Sequence, residues 1–205
     1  MIKLKEYCIN STLNFIEKYS PNFNQSKRNI VKYGLESFFL SITKIIPILI
    51  IALIIGIIKE TIMFIIFYNI LRFFAFGIHA SKSYICLISS TIIFIILPYL
   101  SKFIYFNIYF KIFISIFSLI SFVLYSPADT HKKPLVNEKK RLILKILSTS
   151  ILIVYIFLIF CLNNNFYINV LILSMLLESL MINNYVYILF GLPYNNYKTY
   201  KKKFN

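Results

Sequence analysis

The chain contains little that would support a disulfide-bonded or metal-dependent protein. It has no tryptophan, four glycines, two histidines and three cysteines among 205 residues. Cys8, Cys86 and Cys161 are too few and too scattered for a disulfide framework or a zinc site. His79 and His131 are far apart in the sequence, so they offer no pair of metal ligands. We therefore expect neither a metal nor another cofactor.

Acidic residues are also scarce. Seven Asp or Glu residues face 22 Lys or Arg residues, which gives a net charge of +15. With 59% hydrophobic residues and a mean hydropathy of +0.76, the composition is that of an integral membrane protein. The positive excess fits an anionic lipid surface or an acidic partner, and the apolar spans make nucleic acid the least favoured partner.

Long apolar stretches predict an all-α integral membrane protein with about six transmembrane helices. Each stretch is near the ~20 residues that a helix needs to cross the hydrocarbon. The stretches are residues 38–58, 60–78, 84–100, 103–125, 142–162 and 166–192. If the second or third stretch only re-enters the membrane, the count falls to four.

The ends of the chain differ from this central part. Spaced apolar residues among lysines predict amphipathic interfacial helices over residues 1–37, interrupted at Pro21. No short basic start and apolar core of a cleaved signal peptide is found there, so we expect the N-terminus in the mature protein. The chain then divides into this segment, a transmembrane domain over 38–193 and a basic tail over 194–205.

The distribution of basic residues predicts the orientation in the plasma membrane. If the N-terminus is cytoplasmic, most lysines and arginines fall on the inner side, and the outer turns hold only Lys59 and Lys102. Both termini, His79, Cys86 and the loop of residues 126–141 are then expected on the cytoplasmic side.

The stretch RFFAFGIHASKSYIC, residues 72–86, interrupts the apolar runs with a possible nucleophile and base. A neighbouring imidazole increases the thiolate fraction of a cysteine, whose ordinary pKa is about 8.5. On one straight helix His79 and Cys86 would lie roughly 10 Å apart, too far for proton transfer. The pair therefore requires a bend, and the alternative is an ordinary interfacial histidine with an inert thiol.

Residues between the pair favour such a bend. Gly77 permits unusual backbone angles, and Ser81 and Ser83 are good caps for a helix that begins near Tyr84. Cys86 then falls in the first turn, where the helix dipole favours a thiolate.

Two other ionisable groups are candidates for a role. Asp129, the only aspartate, lies between two prolines in SPADTHKKPLVNEKKR, although it also fits a simple turn. Glu178 falls near the middle of the last span, where an ionisable group is functional or paired by default. Arg72 and Lys145 are its candidate partners, and a protonated structural glutamate is the alternative.

Three motifs resemble the accessory gene regulator B family, membrane cysteine endopeptidases of Gram-positive quorum sensing. They are RFFAFGIHASKSYIC, YGLE at residues 33–36 and SPADTHKKPL at residues 126–135. The resemblance implies that His79 and Cys86 are the catalytic pair and that Arg72 and Gly77 support function. Ser126 stands where an alanine is usual, and Lys133 where arginine is common.

The resemblance also implies the substrate, a precursor signal peptide with an amphipathic leader, a segment that becomes a ring and an acidic C-terminal tail. The enzyme would cleave off the tail and promote closure of a thiolactone or lactone.

The residue that orients His79 is left open among Asp129, Ser81 and Ser83. Membrane lipids are further partners, and a homodimer is compatible with the sequence. The basic residues expected to meet the tail are Lys132, Lys133, Lys139, Lys140 and Arg141.

The competing prediction is a membrane module without enzymatic activity, such as a peptide exporter or a sensor. Arg72 and Glu178 would then line a path, and Cys86 would be incidental.

Overall fold

The structure, a computed structural model, describes residues 2–19, 24–78, 83–129 and 135–198. These ranges form eight α-helices, and the chain divides into two compact units, Met1–Ile51 and Ala52–Asn205. Four of the predicted site residues lie outside the described residues: His79, Ser81, Lys132 and Lys133.

The first unit begins with helix α1, Ile2–Tyr19. Ile9 and Leu13, four residues apart and hence on one face, are buried, whereas Asn10 and Asn14 are exposed. The described helix agrees with the expected secondary structure, and its location at a membrane surface stays a prediction.

Helix α2, Gln25–Ile55, follows in the same unit and reaches into the next. Asn24 caps it by accepting the N–H of Lys27 at 3.0 Å. We predicted an interfacial helix that ends near residue 37 and a separate span from residue 38. The structure has one continuous helix instead, because no turn-forming residue separates the polar start from the apolar part, Ile42–Ile55.

The second unit is organised around one central helix. Its helices are α3 (Ile58–Ala75), α4 (Ser83–Ser101), α5 (Ile108–Tyr125), α6 (Glu138–Cys161), α7 (Asn165–Ile182) and α8 (Asn184–Leu189). Helix α7 packs against α3, α4, α5 and α6 and is 67% buried. This burial explains why α7 is apolar on nearly all sides rather than along one stripe.

Asparagine side chains begin four of these helices. Each accepts a backbone N–H from the first turn, which satisfies a donor that has no partner inside the helix. The caps are Asn107, Asn137, Asn164 and Asn183. The last of them ends α7 and starts α8, so the predicted single span over residues 166–192 is two helices.

Four of the described helices are long and apolar enough to cross a membrane: Tyr84–Ser101 of α4, and α5, α6 and α7. The predicted helical membrane class is therefore confirmed at this level. The count of six spans stays a prediction.

Two polar contact regions mark the opposite ends of the second unit. At one end, Lys102 Nζ lies 3.5 Å from Glu60 Oε1, and Asn169 donates its amide to the carbonyl of Ser101 at 2.8 Å. At the other end, the turn that follows α3 forms backbone hydrogen bonds with the loop that follows α5 and with the last turn of α7. The candidate site lies at this second end.

Candidate active site

The chain leaving α3 turns sharply at Phe76 and Gly77, whose φ angles are +62° and +118°. Backbone hydrogen bonds join this turn to the loop that follows α5. Ala128 donates its N–H to the carbonyl of Ala75 and accepts the N–H of Gly77, both at 2.9 Å. Two segments more than 50 residues apart in the sequence are thus joined as a short parallel bridge.

The next residue, Ile78, is held by the central helix. Its N–H donates to the carbonyl of Met181 in the last turn of α7, at 3.0 Å. The backbone is therefore fixed up to the residue that precedes His79.

Gly77 is required at this turn both by its φ and by its surroundings. A Cβ atom there would collide with the guanidinium of Arg72 and approach the carbonyl oxygen of Met181 to 2.9 Å. We expect Gly77→Ala to lower the free energy of unfolding by about 1–2 kcal/mol for the backbone strain and by about 1–3 kcal/mol more for overpacking.

Two other glycines provide controls for denaturant unfolding of the purified protein in detergent. Gly56 also has a positive φ, +76°, but nothing lies within 4 Å of its Cβ position, so Gly56→Ala isolates the strain. Gly34 is helical and open, and Gly34→Ala should not destabilise the protein. Equal losses for the variants at Gly56 and Gly77 would contradict the predicted collision.

A buried ion pair lies beside this turn. Glu178 Oε2 is 3.5 Å from Arg72 Nη1, and the glutamate side chain is 0% exposed. The second guanidinium nitrogen, Nη2, donates to the carbonyl of Ile78, and Tyr68 faces the same carboxylate. Of the two partners that the sequence left open for Glu178, the structure selects Arg72 rather than Lys145.

Cys86 occupies the first turn of α4. The helix begins at Ser83, so this part of the prediction is confirmed. The thiol is half-buried and close enough to Tyr68 for electrostatic interaction, which places it near the Arg72–Glu178 pair. The helix dipole favours an anion near such an N-terminus.

Asp129 is buried and accepts several backbone N–H groups. Its carboxylate receives the N–H groups of Leu135 at 3.3 Å, Asn196 at 3.0 Å and Tyr197 at 2.9 Å. Arg141 Nη1 lies 3.8 Å away. Within the described part of the chain, this aspartate therefore connects the loop after α5 to the C-terminal segment and to α6.

Sequence reasoning did not single out Tyr187, which closes the same region. Its hydroxyl donates toward the carbonyls of Ala128 at 3.4 Å and Asp129 at 3.3 Å. Burial raises the pKa of Tyr187, so the phenol keeps its proton and remains a donor. Burial likewise raises the pKa of Tyr194, its ring neighbour, to about 12. No local sequence pattern indicates these contacts, because they join segments nearly 60 residues apart.

The described basic residues differ in their surroundings. Lys139 and Lys140 are exposed, whereas Arg141 stacks on the Tyr197 ring, 3.6 Å from its centroid. Arg141 and Lys145 line a cavity of about 640 Å³ between the end of α5, the first turns of α6 and residues 194–197. We call it the Lys145 cavity.

No group of three potential metal ligands comes together among the residues that the structure describes.

Comparison with known proteins places this architecture in a family. The family described as Accessory gene regulator B, AgrB, matches residues 9–182. The chain belongs to this family. Membership confirms the resemblance drawn from the motifs and, together with the four apolar helices, indicates a membrane location.

Several AgrB-like proteins are similar to the chain. One from Clostridium acetobutylicum is 36% identical over 113 residues, which are 54% of this chain and 53% of the relative. One from Listeria monocytogenes is 33% identical over 115 residues, 56% of each chain. AgrB-like protein 2 of Clostridium perfringens is 29% identical over 144 residues, 67% of each chain. The chain thus spans about half the length of the first two relatives, and no solved structure matches it.

Proposed function

We propose that this chain is a membrane cysteine endopeptidase that removes the acidic C-terminal tail of a quorum-sensing precursor peptide. It would act as a multi-pass plasma-membrane protein with both termini and the site in the cytoplasm. Membership of the AgrB family supports peptide processing. The observation that carries the proposal is the position of Cys86 in the first turn of α4, after a fixed segment that leads directly into His79.

In the proposed first half-reaction, His79 takes the thiol proton of Cys86. The thiolate attacks the carbonyl carbon before the acidic tail, and the tetrahedral intermediate collapses with cleavage of the C–N bond. The imidazolium returns its proton to the departing amine. The products are the free tail and a thioester on Cys86.

In the second half-reaction, a thiol or hydroxyl inside the bound peptide attacks the thioester. Its proton passes to His79 and then to the Cys86 thiolate, so the enzyme is restored and the ring closes without an oxidant or another co-reactant. Water is the competing acceptor. Exclusion of water at a membrane surface favours ring closure over hydrolysis.

The tetrahedral oxyanion needs donors. Backbone N–H groups at the N-terminus of α4 are our candidates, because a helix N-terminus presents N–H donors and the positive end of the helix dipole to an anion.

A thioester trap tests the reaction directly. Purified protein in vesicles, mixed with a synthetic precursor, should gain the mass of the tail-less peptide on Cys86, and hydroxylamine should remove it. The change Cys86→Ala should prevent the adduct. Cleavage without any adduct on Cys86 would contradict the mechanism.

We further propose that the acidic tail binds along Lys139 and Lys140 toward the Lys145 cavity. Arg141 and Lys145 provide positive charge there, and Glu138 is an opposing carboxylate on the same lining. Attraction between a basic surface and an acidic segment contributes mainly to association and orientation.

The change Lys145→Gln is expected to raise KM several-fold with little change in kcat, on the order of 1 kcal/mol of lost binding free energy. The matched control is Lys111→Gln, since Lys111 lies in the first turn of α5, at the opposite end of the unit. Steady-state cleavage of the precursor in vesicles measures both constants. If Lys145→Gln raised KM equally for a precursor whose tail carries no negative charge, the proposed contact between Lys145 and the acidic tail would be contradicted.

A further inference from the structure

Glu178 is costly to bury in the central helix. Its side chain is 0% exposed, and its Oε1 atom has no hydrogen-bond partner among the described residues. Transfer of a carboxylate from water to such an environment is costly, and its interactions with Arg72 and Tyr68 offset this cost only in part. An apolar residue of similar volume would avoid this cost, so stability alone does not account for Glu178.

Arg72 connects this carboxylate to the proposed catalytic segment. One guanidinium nitrogen faces Glu178, and the other donates to the carbonyl of Ile78. The two contacts are made by different nitrogens of one planar group. The orientation of the guanidinium toward Glu178 therefore also fixes the direction from which it holds Ile78.

The same peptide is fixed from other directions. The N–H of Ile78 donates to Met181, three residues after Glu178 on α7, and the absence of a side chain at Gly77 admits the guanidinium. The carbonyl of Ile78 belongs to the peptide bond whose nitrogen is that of His79. A rotation of this peptide plane would redirect the histidine side chain.

We propose that Glu178 is a positioning residue for the peptidase. Through Arg72 it fixes the Ile78 carbonyl, and thereby the peptide bond that joins Ile78 to His79. This inference rests on the proposed function. A displacement of about 1 Å in a catalytic group costs up to about 100-fold in rate.

The test compares three variants in vesicles by single-turnover cleavage, steady-state kinetics and thermal unfolding. Glu178→Gln removes the charge and leaves the shape nearly unchanged. Arg72→Lys keeps a positive charge beside Glu178 but cannot make both contacts from one planar group. Glu60→Gln is the matched control, because Glu60 forms an ion pair of the same 3.5 Å length with Lys102 at the other end of the unit.

We expect Glu178→Gln and Arg72→Lys each to lower the kcat of the folded protein 10-fold to 100-fold, with KM within about twofold. Glu178→Gln should also lower the unfolding midpoint, because Arg72 loses its charged partner, so its rate is measured well below that midpoint. Glu60→Gln should retain the parent rate. If Glu178→Gln does not fold, Arg72→Lys still tests the coupling, because it keeps a charge beside Glu178 but cannot also hold the Ile78 carbonyl.

Two results would overturn the inference. One is a parent-like kcat in Arg72→Lys or in folded Glu178→Gln, while Cys86→Ala is inactive. The other is a loss of rate that merely follows the unfolded fraction, which would assign the pair to stability alone. Cleavage by Cys86→Ala would refute the proposed function itself and this inference with it.

Discussion

Replacing Cys86 with alanine is expected to abolish removal of the acidic tail from a co-expressed precursor peptide, by roughly four orders of magnitude or more. Without the thiol, no thioester forms, and neither cleavage nor ring closure has a route. The protein should still accumulate in the membrane, because Cys86 is half-buried and contributes little to the core. Mass spectrometry of the peptide products measures the effect.

The other cysteines provide the controls. Cys8 and Cys161 lie in α1 and at the end of α6, and the double change to alanine should leave cleavage unchanged. In that background Cys86 is the only thiol, so its alkylation by iodoacetamide should stop the reaction. An exporter or a sensor would tolerate both alkylation and Cys86→Ser, and retained activity in either case would favour that alternative.

The second large effect is expected at Asp129. Asp129→Asn replaces a carboxylate that accepts three N–H groups by an amide, one end of which is itself a donor. Arg141, whose side chain is 20% exposed, also loses its ion-pair partner. We expect a clear fall in the unfolding midpoint in detergent, and loss of cleavage in proportion to it.

This experiment also separates two roles that the sequence left open for Asp129. If the aspartate mainly orients His79, Asp129→Asn should lose activity while the unfolding midpoint stays near that of the parent. If it mainly holds the loop after α5, the cleavage activity and the unfolding midpoint should fall together, as the described contacts predict. The control Lys139→Gln changes an exposed charge near the start of α6 and should leave the unfolding midpoint unchanged.

Local features of the site were predictable from the sequence. Ser81 and Ser83 predicted a helix start near Tyr84 and therefore Cys86 in a first turn, and the depth of Glu178 in an apolar helix predicted a charged partner. The capping role of the two serines stays a prediction. Helix signals of this kind depend only on neighbouring residues. They can therefore be recognised without knowledge of the fold.

Contacts between distant segments were not predictable in this way. The bridge between Phe76 and Ala128 uses backbone atoms, which carry no residue signature, and the choice of Arg72 over Lys145 depends on which face of α6 meets α7. The break at Asn183 was missed because the apolar run continues through Tyr185 and Val186 and hides the cap.

The C-terminal contacts of Asp129 have a consequence for biosynthesis. Asn196 and Tyr197, whose amides it accepts, are translated 67 and 68 residues after it. Domains generally fold during synthesis from the N-terminal side, yet this carboxylate acquires these two donors only when α6, α7 and α8 have left the ribosome. A nascent chain that has not reached this point therefore lacks two of the donors that hold the loop after α5 in the finished fold.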